Sequence, residues 1–162
     1  MGLIGLREMI KFPAFIIVFF LISVPGIFGK VELEIRNRIF IPSSEFSRIP
    51  EFFTGEEYVG TKIYARSDPK ERSGFYFVVK VKGDSHLPEQ SYWSLDWVSS
   101  SSPEVQSRKI PIKNKNIFGK ELFIGLTGKD WPDQSIKLLA WRLRLMGDDK
   151  SLTERHSFLW SK

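Results

Sequence analysis

Two histidines, no cysteine and 19 acidic residues limit the chemistry open to this chain of 162 residues. Asp84-Ser85-His86 holds the three residue types of a hydrolase triad. A working triad aligns serine, histidine and carboxylate from separate segments. Three neighbours in one turn cannot aim at one another in that order. The chain also lacks the Gly-x-Ser-x-Gly elbow that exposes a nucleophilic serine. The stretch Gly83 to Pro88 therefore reads as a solvated turn.

His156 alternates with Glu154, Phe158 and Trp160 near the end of the chain. Two nearby ligands do not make a closed zinc site, and no thiolate can complete one. Asp130, Asp133, Asp148 and Asp149 have oxygen ligands suited to calcium, but not the EF-hand spacing. Turn stabilisation is their simpler role. Gly125-Leu126-Thr127-Gly128 lacks the lysine of a phosphate-binding loop. Glycoside cleavage needs two facing carboxylates. Asp96 and Glu154 qualify only if the fold brings them into one pocket. The sequence thus assigns no catalytic residue, metal or cofactor.

The loop from Gly125 to Asp133 is the stretch most suggestive of contact. Lys129, Asp130 and Trp131 lie between two strongly apolar segments. A displayed ring beside a carboxylate suits sugar stacking or a protein hot spot. The alternative is that Trp131 folds back as a plug over the core while Asp130 supports the turn.

The elements that must position these residues alternate with period two, as half-buried strands do. Leu33 and Ile35 share one face, as do Phe75, Phe77, Val79 and Val81. Trp93, Leu95 and Trp97 follow, opposite Ser94 and Asp96. Leu122, Ile124 and Leu126 form another set, and Leu139, Trp141, Leu143 and Leu145 a further one. His156, Phe158 and Trp160 extend the pattern to the tail. Turn signals separate these runs at Ser67-Asp68-Pro69, Gly83-Asp84, Ser99 to Pro103 and Gly147-Asp148-Asp149. About eight short strands without a long helix predict an all-β antiparallel sandwich. Phe46, Ile49 and Phe53 recur at helical spacing, so Ser43 to Thr54 reads as one helical turn or a packed loop. Fourteen Phe and five Trp supply a large apolar payload for one domain.

The first thirty residues have a different composition. Arg7 and Lys11 precede a stretch without charge from Phe12 to Gly29, interrupted by Pro25-Gly26. A basic start, an apolar run and small residues describe a signal peptide over residues 1–29. The apolar stretch also approaches the roughly 20 residues of a membrane span, so an uncleaved anchor is the alternative. Both place the single domain at residues 30–162 outside the cytoplasm: periplasmic, cell-surface or extracellular.

The net charge of +5 is spread along the chain, with its densest run at Lys109, Lys113, Lys115 and Lys120. Scattered cations favour solubility and weak anionic contact. Sequence-specific nucleic-acid readout needs side chains organised toward base edges, and none is expected here. A strong fold pattern without a catalytic constellation leads to a binding or scaffolding protein. Its expected partner is a glycan or an envelope protein, with membrane contact only through a retained N-terminal segment. An exported hydrolase and an anchored envelope structural protein are the alternatives.

Overall fold

The computed structural model describes residues 31–46, 49–57, 59–83 and 86–161. The apolar leader expected over residues 1–29 lies outside them, as do Asp84 and Ser85. The described chain is mostly β. Its strands are β1 (Glu32–Ile41), β2 (Ile63–Arg66), β3 (Gly74–Lys82), β4 (Ser91–Ser99), β5 (Ser102–Pro111), β6 (Glu121–Thr127), β7 (Leu138–Gly147) and β8 (Lys150–His156). They form two four-stranded sheets, ordered β1-β3-β6-β2 and β5-β4-β7-β8. Neighbours are antiparallel except β2, which runs parallel to β6.

The apolar faces read from the sequence meet in one core. Leu33, Phe77, Val79, Leu122, Ile124 and Leu126 come from the first sheet. Trp93, Leu95, Trp97, Trp141, Leu143 and Leu145 come from the second. Register explains the second group: Trp93 faces Leu145, Leu95 faces Leu143 and Trp97 faces Trp141 across β4 and β7. Each fully buried side chain of this size contributes about 1.5–3 kcal/mol relative to exposure. The last hairpin follows from its turn. Asp148 and Asp149 both adopt positive φ, at 48° and 59°, as a two-residue hairpin loop requires, and Asp tolerates that conformation.

Several elements depart from the sequence pattern. Leu139 is 47% exposed rather than packed with Trp141. Val98 pairs with Ala140 and Ser99 with Leu138, so Leu139 is the extra residue of a bulge and points away from the core. The tail does not continue as a strand. Phe158–Ser161 turns as a 3₁₀ segment, Phe158 is exposed, and Trp160 stands under the Arg142 guanidinium at 5.2 Å. The loop expected at Ser99 to Pro103 shrinks to Ser100 and Ser101, because Pro103 already belongs to β5. β5 is an edge strand, the place in a sheet where proline is tolerated.

The stretch from Ser43 to Thr54 holds a 3₁₀ turn at Ser43–Glu45 and a helix, α1 (Ile49–Thr54). Phe46 packs on the outer face of the first sheet with Ile41, Tyr76, Val78 and Phe123, forming a second small core. Phe53 does not join it and lies open to solvent beside Phe52. The outer face of this sheet is therefore covered near Phe46.

On the second sheet the outer face is polar but not fully wet. Asp96 is buried there, accepting from Ser107 Oγ at 2.5 Å, from Arg142 at 3.0 and 3.1 Å, and from Arg144 at 2.8 Å. A buried carboxylate needs such partners, because desolvating it alone costs several kcal/mol.

Candidate functional site

The two sheets meet differently along their two pairs of edges. At one pair, β1 and β8, Arg155 Nε donates to the carbonyl oxygen of Leu33 at 2.8 Å and ties the sheets together. At the other pair, β2 and β5 border a cavity of about 260 Å³. Its floor is apolar: Ile63 and Ala65 from β2, Leu122 and Ile124 from β6, with Trp93 and Ile117. Parallel register places Ile63 beside Leu122 and Ala65 beside Ile124, so both β2 side chains turn inward. Glu57, Arg66, Lys113 and Asn114 contribute to the polar rim.

Arg66 organises one side of that rim. Its Nη1 and Nη2 donate to the two oxygens of Glu57 at 2.7 and 2.5 Å, and its Nε donates to Tyr76 Oη at 2.9 Å. The guanidinium also lies over the Phe46 and Tyr64 rings, at 5.1 and 5.0 Å. Arg66 presents a planar fork of donors, and a bidentate carboxylate fits that fork. The Tyr76 hydroxyl donates onward to the Arg72 carbonyl at 2.6 Å, and Arg72 Nη1 contacts Glu51 of α1 at 2.7 Å. The network thus ties the segment carrying α1 and Glu57 to the edge of the first sheet.

The charges respond to this packing. Hydrogen bonding from Arg66 holds the Glu57 carboxyl below its usual range, against the opposing effect of burial. Burial pushes the Tyr76 hydroxyl up to about 12, and the Arg66 charge limits that rise. Tyr76 fits only because residue 125 is glycine. A Cβ at Gly125 would collide with the Tyr76 ring. Gly125 therefore serves close packing inside β6. The turn glycine is Gly128, with φ of 61°.

The loop singled out in the sequence lies elsewhere. Gly128–Asp130 forms a 3₁₀ turn. Trp131 is 1% exposed, and its ring sits 4.7 Å from that of Phe75 in the main core. It is the plug, and its face is not displayed. Asp130 accepts from Arg108 Nε at 2.8 and 2.9 Å and from Nη2 at 2.7 Å, which fastens the loop to β5. Of the three residues, Lys129 alone is exposed.

The remaining candidates stay apart from the cavity. Asp96 and Glu154 belong to the second sheet, and neither lines it. Glu154 is exposed, with Arg144 opposite it across β7 and β8. His86 and His156 are both exposed. Asp133 accepts from the Ser135 amide at 2.6 Å, as a turn residue does. Glu57, Arg66 and Lys113 were not legible as site residues. The four-residue strand Ile63–Arg66 is short, and its Ile/Ala versus Tyr/Arg alternation was the one available signal.

Comparison with family models, with curated proteins and with solved structures gives no match.

Glu57→Gln keeps the shape of the rim and removes the charge that compensates Arg66. It should lower stability at pH 7 by about 2 kcal/mol, the scale of a charged hydrogen bond. The Glu57 carboxyl titrates lower when folded than its ordinary 4.5, so its contribution is present above that pH and fades as the folded group protonates. Denaturant unfolding at pH 7 and pH 3 should therefore show the gap between variant and wild type narrowing in acid. A gap of constant size would show that the ionised pair does not stabilise the fold.

Proposed function

We propose that this chain is an exported, non-catalytic binding protein: a β-sandwich preceded by a leader at residues 1–29, with its ligand seated between β2 and β5. The observation supporting this is the cavity itself. Apolar side chains line it, and polar groups gather at its rim, as in small-molecule sites generally. Its size lies just below the usual range of roughly 300–1,000 Å³, which suits one small molecule or one short chain.

Among the described residues the lining carries a single carboxylate, Glu57, and Arg66 already engages both its oxygens. Hydrolysis by paired carboxylates needs a second, converging one. A hydrolase at this site would lack that partner, so binding is the better reading. Sugar stacking at Trp131 loses support, because the ring is in the core. Export rests on the basic start and the uncharged stretch from Phe12 to Gly29.

Two measurements test the two parts. Ala65→Leu should fill the cavity floor. n-Octanol binding, followed by methyl NMR, should weaken more than tenfold, or about 1.4 kcal/mol. Unchanged affinity would place the binding elsewhere. For export, protein recovered from the producing cell should have an intact mass lacking the first 29 residues. A full-length mass in the membrane fraction would support the anchor instead.

A further inference from the structure

The rim of the cavity carries information about its ligand that the apolar floor does not. Arg66 is not available to that ligand. Glu57 takes both of its terminal nitrogens and Tyr76 takes Nε, so its charge is balanced where it stands. The open side of the rim is the segment that follows β5. Ile112 there packs against the main core, while Lys113 and Asn114 line the mouth and are exposed.

Among the described residues, no carboxylate pairs with Lys113. Asn114 Oδ1 accepts from the backbone N–H of Asn116 at 2.9 Å. That bond assigns the side-chain oxygen to the loop and leaves the NH₂ as the group still to be bonded. Both free polar groups at the mouth are therefore donors, and one is a cation. Lys115 follows on the same exposed segment and adds to the positive field. A lysine stem can lie along apolar surface while its ammonium stays at the boundary.

Resting on the cavity reading above, we propose that the ligand is a small anionic amphiphile. Its short apolar chain lies on Trp93, Ile117, Leu122 and Ile124. Its anionic head meets Lys113 and Asn114 at the mouth. A neutral amphiphile of equal length fills the same floor but leaves the donors to water. A cationic one sets like charge against Lys113.

The test compares octanoate, n-octanol and octylammonium, which share one chain length. The full chain is held in zwitterionic lipid nanodiscs, with lipid-only discs as the blank. Methyl resonances of Ile117, Leu122 and Ile124 report occupancy of the floor. Octanoate should bind at least tenfold more tightly than n-octanol, and octylammonium more weakly than either. Lys113→Gln should erase the preference for octanoate over n-octanol, and Lys113→Arg should retain it. Both changes are on an exposed residue, so folding is not at issue. Equal affinity for octanoate and n-octanol in the wild type, or an octanoate preference that persists in Lys113→Gln, would overturn the assignment of the head group and leave the cavity reading standing. Absence of saturable shifts with all three would overturn both.

Discussion

A guanidinium held away from water needs bonds for its N–H groups, and Arg66 meets that demand at the edge of the first sheet. Its side chain is 8% exposed. Its charge calls for the Glu57 carboxylate, its Nε for the Tyr76 hydroxyl, and its flat faces for Phe46 and Tyr64. Each demand fixes something further away. Tyr76 can lie where it does because residue 125 has no Cβ. Glu57 ties the segment after α1 to that edge through its two bonds from Arg66. Removing one partner of such a pair costs more than the pair's own net value, because the other charge stays buried and uncompensated. The β2 edge is thus held by a polar network, although it carries only four residues.

The rest of the fold stands on packing and hydrogen bonds, since a chain without cysteine forms no disulfide. Leu95 and Leu143 lie at the centre of the second sheet with no exposure, and Phe77 and Ile124 join the same core from the first. At the β1 and β8 edges the sheets are joined by Arg155. At the β2 and β5 edges a short strand meets the end of a longer one, and the space between them stays open. The cavity arises from this difference in strand length, and the Arg66 network keeps its border in place.

Legibility in the sequence followed burial. Strands with one apolar face, such as Gly74–Lys82 and Ser91–Ser99, were plain because alternation is a direct record of burial. β5 was not, because an edge strand with Glu104, Gln106, Ser107 and Arg108 buries little besides Ile110. Leu139 and Trp160 misled for the opposite reason. Their types fit the pattern, but a bulge and a 3₁₀ turn redirect them. The candidate site was the least legible part. Glu57 lies in a loop and Lys113 beyond a strand end, and that both line one cavity depends on which edges the topology brings together. Trp131 drew attention because loops seldom need tryptophan, and its value is as a plug on Phe75.

Everything proposed for this site depends on an accessible apolar space between β2 and β5. Xenon is the most direct probe, since it enters apolar cavities without needing a polar partner. Methyl NMR under xenon pressure should give saturable shifts at Ile63, Ile117, Leu122 and Ile124. Leu95 and Leu143, in the closed centre of the core, should stay unmoved. Shifts at those central leucines with none along the β2–β5 mouth, or no saturable shift anywhere, would contradict the account.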